Sequence, residues 1–207
     1  AGEVTYATQQ NRILSNRIGT NAAGTQAISN ATGVFVSQGA ENTEITSNLI
    51  SGNTGTGVWV ADNATLGTQI AGNTIGLRAD RDESLPNQQG VYIDGGAGTT
   101  LIGGGTPADR NIISGNAEFG IFLVNAGGET GIQGNYVGTS RLGNAAVPNL
   151  FGGIRVVSSG ETTIGTDGGG PAEEMKGNLV SGNGGFGIEV AGQNPSSKGH
   201  TIAGNII

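Results

Sequence analysis

Phe35, Trp59, Tyr92, Phe122, Arg155 and Glu189 hold the same place in six Gly-apolar-x-apolar quartets, which begin at Gly33, Gly57, Gly90, Gly120, Gly153 and Gly187. Side chains alternate with period two in an extended segment, so the apolar neighbours face one way and this third position faces the other. The column it forms carries the chain's clearest chemistry. Phe35, Trp59, Tyr92 and Phe122 account for four of the nine aromatic residues, and an outward aromatic stripe of this kind marks an interaction surface, able to stack on sugar rings or to pack against another protein. Arg155 and Glu189 continue the column at a spacing of about 4.8 Å between paired strands, close enough for a surface ion pair. The next outward column reads Ser37, Ala61, Asp94, Val124, Val157 and Ala191. A single aspartate supplies neither the several oxygens that calcium wants nor the paired carboxylates of a glycoside hydrolase.

Other candidates read as structural. His200 is the only histidine and carries no acid partner in sequence. Asp80-Arg81-Asp82-Glu83 is the densest charge cluster, and Asp167 with Glu173 and Glu174 is a second acidic group; both read as solvated loop tips. The triplets Gly103-Gly104-Gly105 and Gly168-Gly169-Gly170 open no helix and carry no lysine, so they are not phosphate loops. Thr43, Thr68, Thr130 and Thr162 share parity with inward isoleucines, which argues against an outward ice-binding array. No catalytic residue, metal ligand or cofactor is assigned.

The elements that position the stripe follow from its spacing. The quartet glycines are separated by 24, 33, 30, 33 and 34 residues, and each quartet is followed by a segment such as Ile70-Ala71-Gly72-Asn73-Thr74-Ile75. A short-strand unit repeated along the chain is a solenoid. No helical periodicity competes, and equivalent short strands so far apart cannot pair as hairpins. They stack in parallel. The predicted fold is therefore all-β, a right-handed single-stranded parallel β-helix of about seven rungs, in one domain over residues 1–207. Insertions of one length occupy residues 18–30, 75–87 and 137–149 on alternate rungs, with others at 102–111 and 164–178. Two asparagine columns recur, Asn16, Asn48, Asn73, Asn111, Asn135, Asn178, Asn205 and Asn30, Asn53, Asn87, Asn116, Asn149, Asn183. Asparagine tolerates the left-handed region and bonds local backbone, so these columns are expected at turns, bonded to their counterparts above and below.

Composition narrows the class. Of 207 residues 41 are glycine, without the Gly-X-Y period of collagen. The net charge of −7, with 12 % charged residues, provides no basic field for nucleic acid. No apolar run is long enough to span a bilayer, and the absence of cysteine excludes disulfides and thiolate metal sites.

The segments Asn111-Ile112-Ile113-Ser114-Gly115-Asn116, Val137-Gly138-Thr139 and Pro148-Asn149 resemble those of right-handed parallel β-helix proteins of the pectate-lyase-like group, of the bacterial extracellular repeat type. That resemblance covers the whole chain and implies the fold and a secreted or cell-surface location. It leaves function open, because the group includes lyases, hydrolases, epimerases, adhesins and surface structures. Neither end reads as a cap: Gly2, Val4 and Tyr6 resemble a rung start, and Ile202, Ile206 and Ile207 belong to an ordinary mid-rung segment. The expectation is either a piece of a longer repeat array or subunits that stack head to tail. The reading leans against an enzyme and toward a structural, self-associating extracellular β-helix, with self as partner. The alternative is a polysaccharide-binding or polysaccharide-degrading module that uses the stripe.

Overall fold

The computed structural model describes residues 8–166, 176–192 and 199–207. Among them there is no α-helix. The described residues form nineteen short strands in three sheets, each all-parallel. The first sheet contains β1 (Arg12–Leu14), β4 (Glu44–Thr46), β7 (Gln69–Ala71), β10 (Leu101–Gly103), β13 (Thr130–Gln133), β16 (Thr162–Gly165) and β19 (His200–Ala203). The second contains β2 (Arg17–Ile18), β5 (Leu49–Ile50), β8 (Thr74–Ile75), β11 (Ile112–Ile113), β14 (Tyr136–Val137) and β17 (Leu179–Val180). The third carries the quartets: β3 (Val34–Val36), β6 (Val58–Val60), β9 (Val91–Ile93), β12 (Phe119–Val124), β15 (Gly152–Val157) and β18 (Phe186–Ala191). Every strand pairs with the one three places on, so the chain visits the three sheets in turn and climbs one rung per circuit. This is an all-β parallel β-helix.

Inward columns follow the register. Val34, Val58, Val91, Ile121, Ile154 and Ile188 align on one face of the third sheet. Ile45, Ile70, Ile102, Ile132 and Ile164 align in the first, and Ile50, Ile75, Ile113, Val137 and Val180 in the second. Nearly all of these side chains from Ile45 to Val180 are inaccessible to solvent and form one continuous core. β-branched residues suit these columns because their restricted side chains pack against identical neighbours one rung away. The last strand of the third sheet departs from the expected burial. Val190 pairs with Val156 and so points inward by register, yet it is 45 % exposed, and Ile188 is only partly buried. No described strand stacks on the far side of β18 to cover them.

Both asparagine columns form unbroken ladders. The Nδ2 amides donate to the next Oδ1 from Asn16 through Asn48, Asn73, Asn111, Asn135 and Asn178 to Asn205, at 2.8–3.1 Å. The second ladder runs from Asn30 through Asn53, Asn87, Asn116 and Asn149 to Asn183 over the same range of distance. In most steps the amide also donates back to a core-residue carbonyl, as Asn111 does to Ile70 O at 2.7 Å. A one-residue slip of any rung would break these links together with the apolar columns, so ladder and core enforce one register. The ladder asparagines do not themselves use the left-handed region. At eight of the thirteen positions the residue before them does: Ser15, Ser47, Gly72, Gly134 and Gly204 in the first column, and Gly52, Gly115 and Gly182 in the second, all have positive φ. The turn is thus divided between a left-handed residue that reverses the chain and an asparagine that bonds it.

The quartet glycines answer a different need. A Cβ at Gly33 would lie 2.6 Å from Gly57 O and 3.0 Å from Ile50 Cγ2, and Gly57, Gly90, Gly120 and Gly153 meet equivalent atoms. They allow the next rung's carbonyl and core methyl to approach closely. The insertions at 18–30, 75–87 and 137–149 fold back on themselves through antiparallel bridges Thr20↔Ala27, Leu77↔Ser84 and Thr139↔Ala146. Each reaches over the intervening rung to the next: Ala79 N donates to Gly24 O at 2.9 Å, and Arg141 pairs with Asp82 and bonds Arg78 O.

Candidate aromatic surface

The third sheet brings the whole predicted stripe together. Its cross-strand register aligns Phe35, Trp59, Tyr92, Phe122, Arg155 and Glu189 in one outward row. Ring centroids are 4.5 Å apart for Phe35 and Trp59, 6.0 Å for Trp59 and Tyr92, and 5.3 Å for Tyr92 and Phe122, with planes tilted by 37–40°. These tilted contacts suit aromatic quadrupoles and leave the rings partly covered by one another. Phe35, at the end of the row, is 54 % exposed, while Trp59, Tyr92 and Phe122 are partly buried.

Three more rings join the surface. Phe119 and Phe186 align across Gly152, and their rings stack 5.9 Å apart at 22°. A Cβ on Gly152 would meet Phe186 Cε2 at 2.5 Å, so the glycine is the slot that the rings close over. Phe119 also contacts Phe122 at 5.2 Å and Phe151 at 5.8 Å, which leaves Phe151 56 % exposed at the margin. Seven of the nine aromatics therefore form one chain of contacts. A reading that begins each repeat at the quartet glycine passes over Phe119 and Phe186, which sit directly before Gly120 and Gly187. The phenylalanines repeated at that position were the available signal.

Three charged side chains sit at this surface. Asp94 Oδ1 accepts the Trp59 indole N–H at 2.9 Å. Burial raises the Tyr92 phenol's pKa above its usual value, and the charge and hydrogen bond of Asp94 add to that rise. Asp94 is therefore held by the indole and lies close enough to the phenol to act on its ionisation. At the other end of the row Arg155 Nε lies 2.8 Å from Glu189 Oε2, an ion pair set too far off line for a hydrogen bond. The same guanidinium lies 5.3 Å from the Phe119 ring centroid and 5.5 Å from that of Phe122. The pair is about one-third exposed, so water screens much of its attraction.

The remaining candidates stay apart from this surface. Asp80 pairs with Arg78 and Arg81, and the hydrogen bond from Arg78 lowers its carboxyl to about 2. Arg78 and Arg81 also pair with Glu83, and Arg141 pairs with Asp82, so the cluster ties neighbouring loops together. His200 aligns with Thr162 on β19. Thr43, Thr68, Thr130 and Thr162 are buried, joined in their column by Thr100. Asp167, Glu173 and Glu174 lie outside the described residues. Among the described residues no three His, Cys, Asp or Glu side chains gather in a metal-binding group.

Of the residues expected at the ends of the stack, Gly2, Val4 and Tyr6 lie outside the described residues. Ile202 aligns with Ile164 on β19 and is 42 % exposed. Ile206 accepts from Val180 N at 2.8 Å and donates to Asn178 O at 2.9 Å, extending the second sheet, and is 70 % exposed. Ile207 sits where a Cβ on Gly187 would fall, the place that Ile50 takes beside Gly33, and is itself exposed. No protein-family model matches the chain, and neither a curated protein nor a solved structure matches it.

Proposed function

We propose that this protein is an extracellular structural β-helix of the right-handed pectate-lyase-like group, a rod-like building element that self-associates head to tail in a filament or surface assembly. The observation that carries this reading is the pair of unbroken asparagine ladders, which commits most of the repeated polar side chains to holding rungs in register. A polysaccharide-binding role for the outer face is the second reading, favoured by the outward row of rings from Phe35 to Phe122, exposed at Phe35 and partly buried beyond it, with a carboxylate beside them.

Sedimentation over a wide concentration range, with electron microscopy of the concentrated protein, tests the assembly. Growing linear particles are expected. Ile206→Pro removes the N–H that bonds Asn178 O and should stop growth while far-UV circular dichroism stays unchanged. Strictly monomeric protein at every concentration, with no effect of the proline, would refute head-to-tail association.

A further inference from the structure

The two halves of the aromatic surface differ in the charge that stands beside the rings. In the half on β12 and β15, ring faces and one carboxylate hold a cation: Arg155 lies over Phe119 and Phe122 and pairs with Glu189. On β6 and β9, three and two strands from Arg155, Trp59 and Tyr92 stand beside Asp94. The hydrogen bond to that carboxylate comes from a neutral donor, the Trp59 indole, so its charge is placed but not offset. Asp94 is partly exposed. Among the described residues no arginine lies over the Trp59 or Tyr92 ring, and no basic side chain forms an ion pair with Asp94.

Three features select the occupant. Ring faces with an adjacent carboxylate attract cations through quadrupole and charge together. The chain's net charge of −7 adds a long-range field of the same sign. Between ammonium and guanidinium, the planar and weakly hydrated guanidinium loses less on stacking against a ring and can fork onto a carboxylate. Arg155 shows this very sheet accepting that group.

We propose that Trp59, Tyr92 and Asp94 form a binding site for an arginine side chain of a partner protein, stacked on the rings and paired with Asp94 as Arg155 is paired with Glu189. The site is separate from the ends of the stack and stands whether or not subunits associate head to tail.

Trp59 is the only tryptophan, so its fluorescence reports on this site directly. The whole chain is titrated at low ionic strength with N-acetyl-arginine amide and, separately, with N-acetyl-citrulline amide, which keeps the shape and loses the charge. A saturable change with arginine alone is expected, weakened by roughly fivefold or more at high salt. Asp94→Asn retains an oxygen for the indole and should weaken binding to a similar extent. Equal responses to arginine and citrulline, no saturable response, or an unchanged affinity in Asp94→Asn would each overturn the proposal. Tetramethylammonium binding as tightly as arginine would overturn the guanidinium assignment, and a response to neutral oligosaccharides in place of arginine would assign the face to polysaccharide. The wild-type comparison of arginine with citrulline decides the matter even if the variant fails to fold.

Discussion

Replacing Asn111 and Asn205 by alanine in parallel separates the value of a ladder bond from the value of its burial. Asn111 makes four side-chain bonds: its Nδ2 donates to Ile70 O and Asn135 Oδ1, and its Oδ1 accepts Asn73 N and Asn73 Nδ2. Asn205 also makes four: Nδ2 to Ile164 O and Ala203 O, and Oδ1 from Asn178 N and Asn178 Nδ2. The inventories match in number, two bonds donated and two accepted by each. Their surroundings do not, since Asn111 is fully buried and Asn205 is partly exposed. In Asn111→Ala the Asn73 N–H and the Ile70 carbonyl lose this partner where water has no access, although Asn73 Nδ2 keeps Ile45 O and Asn135 Oδ1 keeps the Asn111 N–H. Counting about 1 kcal/mol for each lost bond, with one or two groups costing more for lack of solvent, places Asn111→Ala near 4 kcal/mol. At Asn205 water replaces the lost partners and about 1 kcal/mol is expected. For a chain of this length that corresponds to a melting shift of roughly 10 °C against roughly 3 °C. Calorimetry or circular dichroism melts of both variants provide the comparison. Equal shifts, or a negligible shift for Asn111→Ala, would refute the claim that buried ladder bonds fix the stack.

Gly152→Val drives a side chain into the slot between Phe119 and Phe186, where even a Cβ meets Phe186 Cε2 at 2.5 Å. A cost of about 1–3 kcal/mol is expected, with loss of the ring-current shifts that the stacked rings give each other by NMR; unchanged shifts would contradict the slot. The raised pKa of Tyr92 favours its neutral phenol, so its contribution to stability is complete below the unfolded value of about 10 and is lost as pH rises through the folded value. Phenolate absorbance should show Tyr92 ionising above that value, and Asp94→Asn should bring it only part of the way down, because burial is the larger cause. Arg141→Ala removes the link from the 137–149 insertion to Asp82 and Arg78 O. Faster amide exchange at residues 78–84 is expected, with a melting cost of about 1 kcal/mol or less.

Much of this protein was legible in the sequence because a stacked coil writes its geometry directly into its repeat. The quartets fixed inward and outward positions, so Val58, Val60 and Ile93 were assignable to the core and Trp59 and Tyr92 to the surface by parity alone. Both asparagine columns were visible for the same reason: a residue that must bond its own counterpart recurs at the same place in every rung. Tertiary structure decided what depends on distance across the repeat. Gly152 is a slot only because two phenylalanines, each one rung away, lean over it from opposite sides. Asp94 is bound to Trp59 although the two are 35 residues apart, and nothing in either local sequence specifies that bond. At eight of the thirteen ladder positions the left-handed residue is the serine or glycine before the asparagine, a division of labour set by how the turn closes against the rung beside it. Local alternation determines which way a side chain points, and it is therefore written in the chain. Which side chains then touch is settled by rung spacing, ring size and the room a glycine leaves, and those exist only once the rungs are stacked.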